Sequence, residues 1–117
     1  MAFETKEASD GKVVVIECPE RVDLSVAKYL RAIMKESTDQ NKFLLVVDMD
    51  KTEFIDSSGL GALVSRIAVT RSNSGDIRLA CVKEPILKLL ALTHLDQIFQ
   101  CCESVQAAVD SFDAQTS

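Results

Sequence analysis

The sequence predicts an α/β fold in which four to five strands form a mixed β-sheet covered by about four helices. Short β-branched or apolar runs alternate with longer stretches whose apolar residues recur at helical spacing. The run FLLVV at 43–47 is apolar throughout, as in a strand covered on both faces. No linker or internal repeat divides the sequence. We therefore expect residues 1–117 to form one domain, large enough to bury a core without metals or disulfides.

The first half of the chain predicts two further strands and one helix. Residues 13–18, VVVIEC, form a strand, and a weaker strand near 2–7 is joined to it through a tight turn at 9–11. A helix follows, capped by Asp23 or Ser25. Its inner face consists of apolar residues at helical spacing, namely Val26, Leu30, Ile33 and Met34.

The second half predicts three helices and two strands. A helix running to about Arg71 is followed by a strand at 77–82, IRLACV. Pro85 opens the next helix, a short last strand follows at 96–101, and 103–112 form the final helix. The predicted inner faces of these helices are, in order, Leu60, Leu63, Val64 and Ile67; Ile86, Leu89 and Leu90; and Val105, Ala108, Val109 and Phe112.

Charge and hydropathy narrow the classes of partner. Thirteen Lys and Arg against 18 Asp and Glu give a net charge of -5 without a Lys/Arg cluster, so we expect no nucleic-acid partner. An acidic chain favours a protein partner with a positive patch. No apolar run approaches the ~18 residues that a membrane span needs, and the N-terminal residues lack a signal-peptide pattern. We expect a cytoplasmic monomer without membrane insertion.

The cysteines and the histidine do not indicate an active site. Cys18, Cys81, Cys101 and Cys102 contain no Cys-x-x-Cys pair and are expected to be small, mostly buried thiols. Cys101 and Cys102 with His94 fit none of the common zinc spacings. His94 is the single histidine, and neither a Gly-x-Ser-x-Gly elbow nor a phosphate-binding glycine loop is present. We expect no enzyme, no metal and no cofactor.

One short stretch concentrates polar and small residues where a strand gives way to a helix: EFIDSSGLGAL, residues 53–63. Asp56, Ser57 or Ser58 could cap the helix, a contribution of ~1 kcal/mol, but capping needs only one of them. Gly59 and Gly61 remove side chains, so another molecule could approach the backbone closely. A phosphate on a serine here would lie at a helix N-terminus, where anions are favoured. Two interpretations follow, helix capping alone or a serine held out for phosphorylation.

Three segments together resemble the STAS domain family, and specifically bacterial anti-sigma factor antagonists. FIDSSGLGAL (54–63) follows the buried strand FLLVVDMD, VDLSVAKYLRAIM (22–34) resembles the first helix of the family, and PILKLLALTHLDQIF (85–99) resembles the downstream helix and last strand. The resemblance covers nearly the whole chain and implies a single STAS-like domain over 1–117.

The resemblance implies partner switching. The unphosphorylated protein binds an anti-sigma factor that is itself a serine kinase, and so frees a sigma factor. Phosphorylation by that kinase abolishes binding, and a PP2C-type phosphatase restores it. Carried onto this sequence, the phosphoacceptor is Ser57, preceded by Asp56. The other partner-binding residues that the resemblance implies are Asp23 near the same surface, Ser58 as a neighbouring contact or cap, and Gly59 and Gly61 opening the approach.

Two departures from the family pattern affect the expected partner surface. Glu20 and Arg21 stand where many members have glycine before the first-loop Asp, and His94 stands where glycine often precedes a leucine. We expect His94 to adopt the left-handed conformation that glycine would take. STAS domains also serve as subunits of lipid or anion transport systems and as stress-signalling scaffolds. Phosphorylation of Ser57 by a cognate kinase discriminates between these roles.

Overall fold

A five-stranded mixed sheet forms the centre of the protein. The computed structural model describes residues 3–116, with the backbone alone for 114–116. In chain order its strands are β1 Glu4–Ala8, β2 Val13–Glu17, β3 Arg21–Val22, β4 Leu44–Asp48, β5 Phe54–Ile55, β6 Asp76–Ala80 and β7 Cys101–Cys102. The main sheet has the order β1-β2-β4-β6-β7 with β1 antiparallel to β2 and the other pairs parallel, while β3 and β5 form a separate parallel pair.

The described chain also contains five α-helices and one short 3₁₀ helix, joined to the strands by turns and loops. They are α1 Leu24–Asp39, α2 Ser57–Val64, α3 Ile67–Ser72, α4 Glu84–Leu92, the 3₁₀ helix Leu95–Gln97, and α5 Val105–Thr116. The predicted α/β fold with a mixed, helix-covered sheet is confirmed. None of the helices within 3–116 has the length and apolar character that crossing a membrane requires.

The two faces of the sheet are buried by different helices because strand side chains alternate in direction. On one face α1, α2 and α4 cover a core that includes Val14, Ile16, Leu45, Val47, Ile77 and Leu79. On the other, α5 packs its Ala108, Val109 and Phe112 against Val13, Val15, Val46 and Ala80. Burial on both faces explains why the run at 43–47 is apolar without alternation.

A buried cation fixes α5 on its face of the sheet. Arg78 of β6 is only 5% exposed, and its guanidinium lies 4.4 Å from the centroid of the Phe112 ring. The same guanidinium donates a hydrogen bond to the Ser111 hydroxyl and lies 3.6 Å from a carboxylate oxygen of Asp76. Ring face and carboxylate together stabilise a charge that burial alone would destabilise.

The second predicted helix is interrupted. Arg66, at φ -119° and ψ 12°, leaves the helical conformation between α2 and α3. The Ser65 hydroxyl donates to the carbonyl of Ala62 at 2.7 Å, a side-chain bond that competes with regular helix continuation. The prediction of one continuous stripe is therefore wrong at Val64, which is 36% exposed, whereas Leu60 and Leu63 are buried as expected.

The predicted strand at 96–101 is also shorter than expected. His94 adopts the left-handed conformation, with φ 61°, which confirms the expectation for this residue. The turn at His94 leads into the 3₁₀ helix. Just beyond this helix, the Phe99 N–H donates back to the Leu95 carbonyl at 2.9 Å. Strand pairing with β6 therefore starts only at Cys101.

Only one of the four cysteines is buried, so the expectation of mostly buried thiols is wrong. Cys18 is 1% exposed, Cys81 and Cys102 are half-buried, and Cys101 is exposed; all four are free thiols. Burial, with Asp48 and Glu17 nearby, raises the pKa of the Cys18 thiol to about 12. Cys18 is therefore a neutral member of the core.

This difference predicts the order of alkylation by iodoacetamide at pH 8. Cys101 should react at least about a hundredfold faster than Cys18, because the thiolate is the reactive form: partial desolvation also raises the pKa of the Cys101 thiol, but Cys101 is exposed, whereas Cys18 is both buried and protonated. Peptide mass spectrometry gives the rate at each site. In concentrated urea the rates should converge, and fast labelling of Cys18 in the native protein would contradict its placement.

Candidate functional site

Two loops are tied together where α1 and α2 begin. β3 and β5 pair in parallel, with Val22 opposite Ile55. The Glu20 carbonyl accepts from the Glu53 N–H at 2.8 Å, and the Val22 carbonyl accepts from the Asp56 N–H at 3.3 Å. These bonds place the N-termini of the two helices side by side.

The Asp56 carboxylate joins the two helix N-termini. Its Oδ1 accepts from the Gly59 N–H at 3.0 Å, which makes Asp56 the N-cap of α2. Its Oδ2 accepts from the N–H of Leu24, the first residue of α1, at 3.1 Å. Each oxygen therefore satisfies a backbone donor that has no partner within its own helix. A negative charge is also favoured at the positive ends of both helix dipoles.

Asp23 is the N-cap of α1, one of the two caps that the sequence allowed. Its carboxylate accepts from the Ser25 N–H at 3.0 Å and from the Ser25 hydroxyl at 2.6 Å. The hydrogen bonds from Ser25, with a smaller contribution from the Arg21 guanidinium, hold the pKa of Asp23 below its usual range. Because Asp23 is followed directly by Leu24, the two capping carboxylates lie on one surface, as expected.

Ser57 is not used for capping. It is the first residue of α2 and is exposed, and within the described chain its hydroxyl makes no hydrogen bond to protein. Ser58 is half-buried and its hydroxyl is likewise unbonded to the residues described. The capping interpretation therefore accounts for Asp56 and leaves Ser57 unexplained.

The two glycines of the motif have different roles. A Cβ on Gly59 would lie 2.4 Å from the Val22 carbonyl oxygen and 2.5 Å from a side-chain carbon of Ile55. Gly59 is buried and makes room for this chain's own backbone, so the expectation that it opens the approach for another molecule is wrong. Gly61 is half-buried, and among the described residues outside its own helix a Cβ there would meet only the guanidinium of Arg31, at 2.9 Å.

The departure at Glu20 leaves the loop intact. Its side chain is exposed, and its backbone lies outside the left-handed region, so a residue other than glycine fits without strain.

Sequence reasoning missed the apolar side chains beside the site. Leu24 is 74% exposed, and Phe54, 39% exposed, has the Arg21 guanidinium 4.2 Å from its ring centroid. Leu24 lay outside the predicted inner face of α1, and an apolar residue off that face was the signal that could have indicated an exposed contact.

The order of elements and this paired-loop site agree with a known family. Residues 5–108 match the family model of the STAS domain. The chain therefore belongs to the STAS domain family.

Solved structures of the same fold include anti-sigma factor antagonists. A candidate antagonist from Thermotoga maritima is 22% identical, covers 95% of this chain and 94% of its own, and gives a TM-score of 0.85. SpoIIAA of Bacillus in its phosphorylated form is 20% identical over 94% of this chain and 98% of its own, with a TM-score of 0.75. A sulfate transporter family protein from Wolinella succinogenes is 14% identical over 94% and 96%, with a TM-score of 0.77. These likenesses define the fold.

The glycine geometry predicts opposite effects of two alanine substitutions. Gly59→Ala should lower the free energy of unfolding by about 1–3 kcal/mol, because the new methyl group meets backbone that cannot move away cheaply. Gly61→Ala should be neutral or stabilising by up to about 1 kcal/mol, since alanine favours the helix and the Arg31 side chain can move. Urea unfolding measures both, and equal losses would contradict the distinction.

The capping geometry predicts a second contrast, between neighbouring residues. Asp56→Ala should cost about 1–2 kcal/mol of unfolding free energy, because backbone donors of two helices lose their acceptor. Ser57→Ala should change it by less than about 0.5 kcal/mol, since no bond is lost. Matched thermal and urea unfolding curves make the comparison. A larger loss for Ser57→Ala than for Asp56→Ala would refute the assignment of the cap.

Proposed function

We propose that this protein is an anti-sigma factor antagonist controlled by phosphorylation of Ser57. The observation that carries the proposal is the exposed Ser57 hydroxyl, unbonded within the described chain, beside a carboxylate whose oxygens both accept backbone N–H bonds. Asp56 thus caps the helix, and the hydroxyl of the adjacent Ser57 is left available to accept a phosphate. The likeness to SpoIIAA, solved in unphosphorylated and phosphorylated forms, supports the same assignment.

Phosphorylation of Ser57 changes the surface rather than the fold. A phosphoserine adds about -1.5 to -2 charges at pH 7. The N-terminus of α2 favours an anion, so the helix tolerates the group. In a protein interface the same charge lies next to Asp56 and close to Asp23, and repulsion and desolvation oppose binding. A hundredfold loss of affinity requires about 2.7 kcal/mol, which a doubly charged group in an interface can supply.

The proposed partners follow from this switch. The unphosphorylated form binds an anti-sigma factor that is also a serine kinase, and a PP2C-type phosphatase removes the phosphate. The exposed Leu24 and the Arg21–Phe54 pair flank Ser57 and supply apolar contact area for the kinase. In this proposal the protein itself is a non-enzymatic, cytoplasmic monomer, and its regulation lies in the two modifying enzymes.

A transport-associated role is the second candidate function. It is favoured by the likeness to the sulfate transporter family protein from Wolinella succinogenes. In that role the domain would be a subunit of a lipid or anion transport system, and Ser57 need not accept phosphate. A scaffold in stress signalling is a separate alternative, which this likeness does not favour. Whether a cognate kinase phosphorylates Ser57 distinguishes the two candidate functions.

The test uses the cognate anti-sigma kinase purified from the same organism. Wild-type protein with kinase and ATP should gain one phosphate at Ser57, and its affinity for the kinase should fall about a hundredfold. Ser57→Ala should bind without being phosphorylated, and Ser57→Asp should bind at least about tenfold more weakly than wild type. Calorimetry measures the affinities, and mass spectrometry locates the phosphate.

Ser58→Ala is the matched control, because it changes the adjacent hydroxyl and leaves Ser57 in place. It should be phosphorylated and released like the wild type. Phosphate on Ser58, or unchanged affinity for Ser57→Asp, would rule out Ser57 as the switch. If no serine kinase binds and the protein instead assembles with a membrane transport complex, the transport-associated function is favoured.

A further inference from the structure

A basic groove lies between α1 and the break that separates α2 from α3. It has a volume of about 520 Å³, and its lining contains four cations and no acidic residue: Lys28, Arg31, Ala32, Lys35, Ser65 and Arg66. The expectation that the chain holds no Lys/Arg cluster is therefore wrong. Three of the cations recur along one face of α1, and the fold brings Arg66 beside them from a distant part of the sequence.

Part of this positive charge is not neutralised by the protein itself. Lys35 pairs with Asp39 at 2.8 Å. Lys28, Arg31 and Arg66 have no carboxylate within 4.0 Å in the part of the chain that the structure describes. Asp39 also attracts Arg66 from beyond that distance, whereas the charges of Lys28 and Arg31 remain available to an external anion, in a protein whose net charge is -5.

The groove is continuous with the site at Ser57. Ser57 and Gly61 lie four residues apart on one face of α2, and Ser65, the C-cap of that helix, follows after four more residues. The Arg31 guanidinium lies against Gly61. On α1 the exposed Leu24 precedes Lys28 by one turn. One strip of surface thus runs from Ser57 and Leu24, across Gly61, to the cations.

We propose that this basic groove binds an acidic segment of a partner protein, with carboxylates against Arg31 and Arg66 and an apolar side chain against Leu24. The proposal rests on the proposed function and specifies the chemistry of the partner surface that Ser57 controls. A protein segment fits better than nucleic acid, because Leu24 offers an apolar contact and the lining of the groove contains no aromatic ring on which a base could stack.

An acidic partner also explains why a phosphate at Ser57 is effective. Ser57 lies four residues, about 6 Å of helix rise, from Gly61, against which the Arg31 guanidinium lies. A phosphate there places negative charge at the head of the groove and repels the same carboxylates that the cations attract. The phosphate and the groove cations therefore have opposite effects on the same partner carboxylates.

The test is a titration of the ¹⁵N-labelled full chain with two synthetic helical peptides, followed by NMR. One peptide carries Leu and repeated Glu at four-residue spacing, and the other has Gln in place of every Glu. The Glu peptide should shift amide signals of Arg31, Gly61, Ser65 and Arg66, and the Gln peptide should bind at least about tenfold more weakly.

Two charge-reversal variants of equal net charge provide the control. Arg31→Glu with Arg66→Glu should weaken binding of the Glu peptide at least about tenfold, while Lys12→Glu with Lys88→Glu, at exposed lysines outside the groove, should change it less than about twofold. If the first pair disturbs the spectrum of the free protein, Arg31→Gln with Arg66→Gln replaces it.

Equal weakening by both variant pairs would overturn the proposal, because only the net charge would then matter. Equal binding of the Glu and Gln peptides would overturn it as well. A single-stranded DNA of the same charge that shifts these signals at lower concentration would reassign the groove to nucleic acid. The titration contains no kinase. Its outcome can therefore be interpreted even if the phosphorylation experiment on Ser57 fails.

Discussion

The two oxygens of the Asp56 carboxylate determine how the functional surface is assembled. One caps α2 through Gly59, and the other accepts the first N–H of α1 at Leu24. Both helix N-termini therefore face the same carboxylate, and the β3–β5 pairing beneath them keeps the loops in register. Ser57, Leu24 and the strip leading to Arg31 hold their relative positions because of this bridge. The arrangement of the surface around Ser57 is thus a consequence of how backbone donors are satisfied.

Much of the fold could be predicted from the sequence, because the requirement to bury both faces of a sheet leaves a direct pattern in the apolar residues. The run at 43–47 and the left-handed His94 are examples. The break at Arg66 could not be predicted. The apolar spacing continues through it, and no glycine or proline stands there to mark the end of a helix.

The site was predictable in composition but not in the division of roles. Asp56, Ser57 and Ser58 were equivalent candidates for the cap, because the choice depends on which residue has an extended backbone at the end of β5. The role of Gly59 depends on a carbonyl from another loop, and the basic groove depends on Arg66 lying beside α1. Contacts between distant segments decide these features, and a single sequence does not encode their geometry locally.

The separation of Asp56 from Ser57 also has an evolutionary consequence. Position 56 is chemically restricted, since an amide would point its own donor at one of two backbone donors and a longer side chain would displace the carboxylate. Position 57 carries no such restriction, because no intramolecular bond of the described chain uses its hydroxyl. Under the proposed function, a lineage can therefore lose or regain regulation by a single change at position 57 while the fold of the domain persists.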